Sequence, residues 1–198
     1  MPNRNPDHGD PNHGGRENGS PQNGGPQNGG PHNGGPDSVN VRSKDYLIAR
    51  TIGPCTDCGG RTPLVALVLP PSHETLSLAE DDDGDPLPDS WNQVSCRAFL
   101  FYIGYLPGGV QQRVQASSKS YRPAVSPIVQ GSYWANHCEH CGSIQDDHDL
   151  FCEPEGAFFP VDAASASAIE LTRVDEAFAA AAAGYACQPE YLQSLLRT

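Results

Sequence analysis

The chain has 198 residues, a formal net charge of −12 and only 8% aromatic residues. A chain this acidic is repelled by nucleic-acid phosphates and by anionic membrane surfaces, so neither is the expected default partner. No apolar run reaches the roughly 18 residues that a membrane span needs, and no apolar secretory segment follows Met1. We therefore expect a cytoplasmic, reduced chain whose seven cysteines serve a metal rather than disulfides.

The first part of the chain, residues 1–38, is rich in proline, glycine and asparagine. A five-residue unit, Pro-Gln-Asn-Gly-Gly, begins at Pro21 and again at Pro26, and a close variant begins at Pro31. Proline removes a backbone donor and glycine loses the most entropy on ordering, while no apolar side chain is present to offset that cost. The composition predicts a disordered tail at 1–38, followed by one domain at 39–198.

The central part of the chain reads as strands. Apolar and aromatic runs that are rich in β-formers predict strands at residues 46–50, 64–69, 94–103 and 132–136. Proline and glycines at 107–109 predict a hairpin turn into a strand at 110–114. Cys96 lies inside an apolar stretch, where we expect it to be a small core residue.

The C-terminal part is predicted to contain two helices. Ser167 and Glu170 have the spacing of a capping box, and apolar residues at helical spacing lead through alanines at 179–183 to a stop at Gly184. Pro189 suits the first turn of a second, shorter helix. The expected fold class is α+β: a mainly antiparallel sheet with a four-cysteine zinc-ribbon-like site and two C-terminal helices against it.

Two cysteine pairs dominate the functional interpretation. Cys55 and Cys58 form one C-x-x-C-G stretch, and Cys138 and Cys141 form the other. Four thiolates grouped in pairs are the ligand set of a tetrahedral structural Zn²⁺ site, which leaves no position open for water. Compact ribbons place about 15–20 residues between the pairs, whereas 79 residues separate them here. One shared ion therefore requires an embedded sheet that brings the pairs together.

The two C-x-x-C-G stretches resemble the rubredoxin-type knuckles of the zinc-ribbon group. The segment from Asn136 to Gln145 is also similar to the N-H-C-x-x-C-G-x-x-Q segment of a group of uncharacterised bacterial proteins. The resemblance covers about a dozen residues. It implies a metal site and brings no assigned reaction.

Other chemistry can be assigned to the same region of the sequence. Cys138, Cys141, His148 and Cys152 could form a local site that resembles a CCHC zinc knuckle with altered spacing. A redox C-x-x-C is a second alternative, although the glycines that follow each pair are poor helix formers, and redox pairs begin helices. Asp146, Asp147, His148 and Asp149 could hold a divalent cation in a metal-dependent hydrolase; otherwise they form a polar turn beside the zinc site.

The expected function is a non-enzymatic module that binds an unknown protein partner, because no catalytic sequence motif occurs in the chain. Nucleic-acid binding, the common use of zinc ribbons, is the alternative. It would require a cluster of basic residues on one face. The candidates for that cluster are Arg50, Arg61, Arg97, Arg113, Lys119 and Arg122.

Overall fold

The computed structural model describes residues 35–77, 88–126 and 131–187, which form an 11-stranded antiparallel sheet with three α-helices. The strands are β1 (Val41–Ser43), β2 (Tyr46–Pro54), β3 (Arg61–Leu69), β4 (His73–Ser77), β5 (Ser90–Val94), β6 (Ala98–Tyr105), β7 (Tyr121–Ser126), β8 (Gly131–His137), β9 (Ile144–Gln145), β10 (Glu170–Val174) and β11 (Phe178–Cys187). The helices are α1 (Gly108–Ser117), α2 (Asp147–Phe151) and α3 (Ala163–Ser167). This architecture agrees with the predicted α+β class.

The strand order explains how distant parts of the chain meet. The main path is β10-β2-β3-β6-β11-β1-β4-β5, and β8 branches from β6 to pair with β7 and β9. The predicted strands at 46–50, 64–69 and 132–136 lie within β2, β3 and β8. Because β2 and β8 each lead directly into one of the cysteine pairs, the sheet places both pairs.

The uninterrupted apolar run in β3 is explained by core on both faces of the strand. Successive side chains of a strand point to opposite faces, and here each face meets its own cluster of buried residues. One cluster contains Val65, Leu67, Leu69, Val114 and Phe178. The other contains Leu64, Ala66, Val68, Phe151 and Phe158.

The prediction of a helix over the alanine-rich segment was wrong. Residues 170–174 form β10 against β2, and residues 178–187 form β11 between β6 and β1. Pairing on both sides of β11 overrides the local helix propensity of alanine. Gly184 is not a helix stop; a Cβ there would lie 2.5 Å from Cζ of Phe101. The second predicted helix, from Pro189, lies outside the described residues.

The predicted strand at 110–114 was also wrong, because this segment belongs to α1. Val110 and Val114 are its buried residues. Four residues is the spacing that places two side chains on one helix face. Helix α1 thereby covers the end of the core cluster that contains Phe178.

Cys96 is not an isolated core residue, since it forms a disulfide with Cys187 at the end of β11. Their Cα atoms lie 5.8 Å apart, because Cys187 pairs with Ala98 in the ladder between β11 and β6. The expectation that the cysteines serve metal rather than disulfides therefore fails for this pair.

Most of the predicted disordered tail, residues 1–34, lies outside the described residues. Residues Pro36–Ser38 form a short 3-10 turn. Directly after it, the Asn40 side chain exchanges two hydrogen bonds with the backbone of Ala182, at 2.8 and 3.0 Å. No helix in the described ranges is long and apolar enough to cross a membrane.

Candidate metal centre

The structure brings the four cysteines of the two C-x-x-C-G stretches together. Cys55 and Cys58 lie in the connection between β2 and β3, and Cys138 and Cys141 lie between β8 and β9. All four Sγ atoms lie within 4.8 Å of one another. Across the two stretches, Sγ of Cys55 is 3.6 Å from that of Cys141, and Sγ of Cys58 is 3.7 Å from that of Cys138.

The two stretches fold as knuckles with the same hydrogen bonds. In the first knuckle, the Cys55 N–H donates to Gly60 O (2.9 Å) and the Gly59 N–H donates to Cys55 O (3.0 Å). The second knuckle has the equivalent bonds, with N–H groups from Cys138 and Gly142 at 2.8 and 2.9 Å. Gly59 and Gly142 have φ of +70° and +79°, values that strongly favour glycine. This explains the glycine after each pair.

Asn136 holds the second knuckle against the first hairpin. Its side chain is fully buried, and its Oδ1 accepts from Val65 N–H (2.8 Å) while its Nδ2 donates to Val65 O (2.9 Å). The amide thus takes the place of a strand partner for β3. Two residues later the chain enters the second knuckle, so the bond to β3 sets the position of Cys138.

Gln145 connects the two knuckles beside the sulfurs. It is 1% exposed, and its Oε1 accepts from the Thr56 N–H of the first knuckle (3.2 Å). Its Nε2 donates to Ser143 O of the second knuckle (3.1 Å) and lies 3.3 Å from Cys55 Sγ. Asn136 and Gln145 are the two ends of the N-H-C-x-x-C-G-x-x-Q segment, and the structure gives both a positioning role.

His140 adds a further contact between the knuckles. Its Nε2 lies 2.9 Å from Arg61 O, and its backbone N–H donates to Cys138 Sγ (3.4 Å). A Cβ at Gly60 would lie 2.8 Å from the His140 ring, so glycine at this position leaves room for the imidazole. The histidine packs against the opposite knuckle, and its side chain is not among the grouped metal-ligand atoms.

Two thiols of the first knuckle, Cys55 and Cys58, have pKa values shifted in opposite directions. The Cys58 N–H, directed at Cys55 Sγ, lowers the pKa of Cys55 to about 6. The Gly60 N–H likewise acts to lower the pKa of Cys58, but the neighbouring sulfurs and burial outweigh it and raise that pKa to about 12. Four thiolates this close repel one another. A cation at their centre offsets the repulsion and lets all four ionise.

The sulfur positions fit a tetrahedral metal site. With Zn–S bonds of about 2.3 Å, the edge of an S₄ tetrahedron is about 3.8 Å. The two cross-knuckle distances of 3.6 and 3.7 Å are close to that edge. An all-thiolate tetrahedron suits zinc or iron rather than hard cations. The four cysteines therefore fit one metal ion without a water ligand.

The structure does not bring His148 and Cys152, the alternative ligands, to this cluster. Nδ1 of His148 lies 3.5 Å from the Glu153 carboxylate, and both side chains are more than half exposed. Cys152 packs against the core cluster that contains Phe151. A local site of Cys138 and Cys141 with these two residues is not assembled.

The side chains of the acidic segment at 146–149 make different contacts. Asp146 is the N-cap of α2, and its Oδ1 accepts from His148 N–H and from Tyr102 OH, both at 2.9 Å. Asp147 is buried, and its Oδ2 accepts from Tyr102 N–H (2.6 Å). His148 and Asp149 are exposed. Within the described ranges, the four cysteines form the only group of ligand-type side chains close enough to hold one ion.

Asp147 is a structural anchor that the sequence did not reveal. Burial raises the pKa of its carboxyl to about 8. The residue that donates to it, Tyr102, has φ of +49°, an uncommon value for a residue with a side chain. The carboxyl thus holds Tyr102 of β6 in this conformation and links α2 to the sheet.

Several of the cations proposed for a nucleic-acid surface bind groups of the protein itself. Arg50 binds Glu170 at 3.1 Å, and Arg113 binds Glu176. A third, Arg61, donates to Ile52 O (3.1 Å). These contacts direct three of the cations to neighbouring groups of the protein itself.

Comparison of the chain with protein-family models, with curated proteins and with solved structures returns no match. A functional assignment therefore depends on the geometry of the centre and of its surroundings. Those features are the sulfur cluster, the two matching knuckles and the buried amides that hold them.

Proposed function

We propose that Cys55, Cys58, Cys138 and Cys141 hold one structural Zn²⁺ ion, and that the domain is a non-enzymatic module that binds another protein. The observation that supports the zinc site is the close approach of the four Sγ atoms, all within 4.8 Å. Protein thiolates would fill every position of a tetrahedral ion, which leaves none for a water or a substrate. The resemblance of both knuckles to the rubredoxin type supports the same ligand set.

A structural role follows from where the ligands lie. The ion would join the turn after β2 to the turn after β8, two segments that are far apart in the sequence. Since this site exists only in the folded chain, the free energy of metal binding adds to the free energy of folding. Removing the ion should loosen the contacts between the two hairpins.

Two observations favour a binding module over an enzyme. Among the described residues, the side chains of the segment at 146–149, which was the best catalytic candidate, do not group closely enough to hold one ion, since Asp146 caps α2 and Asp147 is buried. In addition, large apolar side chains are exposed close to the knuckles, at Ile52 and Val161. Exposed apolar surface of this kind marks protein-interaction sites when it is contiguous.

Metal stoichiometry tests the zinc assignment. Elemental analysis of the purified chain should give one zinc per chain in the wild type. The variants Cys55→Ser and Cys138→Ser, one from each knuckle, should both lose the ion. Cys152→Ser is the matched control, because this cysteine lies outside the cluster, and it should keep the ion.

Three results would contradict the proposal. Two ions per chain would show that the pairs bind metal independently. Iron in place of zinc would change the identity of the centre. A Cys55→Ser variant that keeps its full metal content would exclude this residue as a ligand.

A further inference from the structure

A cleft of about 480 Å³ lies beside the metal centre. It is lined by the end of β2, with Ile52 and Pro54, and by residues of the segment from Glu155 to Val161 that follows α2. Buried Leu64 of β3 and Leu150 of α2 contribute to its floor. The volume falls within the range of about 300–1,000 Å³ that is typical of ligand pockets.

The edges of the cleft carry exposed apolar side chains. The described ranges contain three large apolar side chains that are exposed, and two of them, Ile52 (58% exposed) and Val161 (43%), line this cleft. The third, Val125 of β7, lies outside it. Apolar groups concentrated at one site are more informative than apolar groups scattered singly over a surface.

All the charged side chains that line the cleft are acidic. Four carboxylates line it, from Asp146, Asp149, Glu155 and Asp162, and the lining contains no lysine, arginine or histidine. Hydrogen bonds from Ser165 lower the pKa of Asp162, which therefore stays ionised at neutral pH. An apolar floor with an acidic border complements a ligand that has apolar groups next to cations.

The cleft is also physically joined to the metal centre. Thr56 and Gln145 contribute to its lining, and these are the residues that link the two knuckles through the Gln145 amide. Gly53 lines the cleft too, and a Cβ there would lie 2.8 Å from Cδ1 of Leu64, so the floor is tightly packed. A structural ion would hold this wall in place.

We infer that the cleft is the docking site for a segment of a partner protein that presents apolar side chains flanked by lysine or arginine. This inference rests on the proposed function as a protein-binding module and names the chemistry of its partner. Apolar side chains of the segment pack on Leu64, Leu150 and the exposed edges. Its cations pair with the carboxylates at the border, which sets orientation and gives association its dependence on salt.

The test uses the full chain, with metal content measured on every sample, and two labelled dodecapeptides. One peptide alternates leucine with lysine, and the other alternates leucine with glutamate. Fluorescence anisotropy should detect binding of the leucine–lysine peptide and none of the leucine–glutamate peptide. The affinity should fall as salt is raised, because exposed charges are screened.

Variants of cleft residues, compared with control variants elsewhere, show where the peptide binds. The double variant Ile52→Asn/Val161→Asn should weaken binding about tenfold, as expected when two apolar side chains that the partner buries are lost, whereas Val125→Asn should leave it unchanged. Asp149→Asn/Glu155→Gln should weaken binding and reduce its salt dependence. Asp37→Asn/Asp89→Asn removes the same number of charges at exposed positions outside the cleft. This control variant should change neither the affinity for the peptide nor its salt dependence.

The outcomes separate this inference from the zinc proposal. Equal binding of both peptides, or equal losses in the cleft and control variants, overturns the cleft assignment even when each chain holds one zinc. If peptide binding depends on the cleft residues but the wild-type chain contains no zinc, the cleft stands and the zinc assignment fails. If the metal-loaded protein loses peptide binding when a chelator is added, both the cleft inference and the zinc proposal are supported.

Discussion

Cysteines join distant parts of the chain near both ends of the β2–β3 hairpin, but through different chemistry. At the turn, Cys55 and Cys58 meet the sulfurs of the second knuckle. At the other end, Leu69 pairs with Ala98, which pairs with Cys187, the partner of Cys96 in the disulfide. The backbone around each pair accounts for the difference.

At the turn, glycines with positive φ let each knuckle close tightly, and backbone N–H groups lie close to the sulfurs. Such donors stabilise thiolates, which are the form that binds metal. At the opposite end, Cα atoms 5.8 Å apart have the usual separation for a disulfide. A chelator should therefore destabilise the region around the four clustered cysteines. A reductant should destabilise the region around the Cys96–Cys187 disulfide.

Loss of one of the four cysteine ligands should have the largest effect on the stability of the fold. Cys138→Ser leaves three thiolates that bind the ion poorly, so we expect a loss of at least about 3 kcal/mol in the free energy of unfolding. Chemical denaturation monitored by circular dichroism measures it. A chelator should reproduce the loss in the wild type without changing the disulfide. Unchanged stability in Cys138→Ser would show that the metal end contributes nothing to the fold.

Removal of the disulfide should have the next largest effect. The bond spans 91 residues, and breaking a native cross-link of this kind costs about 2–4 kcal/mol, chiefly by freeing the unfolded chain. Cys187→Ser should lower the free energy of unfolding by that amount while zinc content stays at one per chain. If zinc is lost as well, the disulfide and the metal site do not act independently.

The buried carboxyl of Asp147 should make stability depend on pH. Its pKa of about 8 in the folded state exceeds the ordinary value of 3.8, so the folded chain binds more protons and stability falls as pH rises towards 8. The slope is at most about 1.4 kcal/mol per pH unit.

Denaturation between pH 6 and 9 measures this slope. Asp147→Asn removes the titrating group but keeps an oxygen that can accept from the Tyr102 N–H. It should flatten the profile and leave metal content unchanged. An Asp147→Asn profile that falls as steeply as that of the wild type would show that Asp147 does not cause the pH dependence.

The smallest effect is expected at the bridge between the knuckles. Gln145→Ala removes bonds to Thr56 N–H and to Ser143 O and a donor near Cys55 Sγ. We expect a loss of about 1–2 kcal/mol and faster transfer of zinc to a competing chelator. The exposed residue Gln112 supplies the control, since Gln112→Ala should change neither quantity.

The sequence predicted those parts of the molecule that local pattern determines. Apolar and aromatic runs identified β2, β3 and β8, and the C-x-x-C-G spacing identified both knuckles. The helix propensity of alanine led to a wrong prediction in the segment that forms β11, residues 178–187. Pairing with β6 and β1 decides the conformation there. Val110 and Val114 have helical spacing, but the preceding glycines suggested a hairpin instead.

The rest of the centre depends on contacts between residues far apart in the chain. Nothing in the sequence shows that the Asn136 amide binds the backbone of Val65, or that Asp147 accepts from Tyr102 N–H. The disulfide between Cys96 and Cys187 likewise depends on the pairing of β6 with β11. Such pairings are set by the tertiary fold, which the local pattern of one sequence does not encode.

X-ray absorption at the zinc edge of the purified, metal-loaded chain tests the central claim most directly. Four sulfurs from two knuckles around one ion predict a single shell of four sulfur scatterers at about 2.3 Å. A shell that contains nitrogen or oxygen, or a second zinc at short distance, would contradict the shared four-thiolate centre.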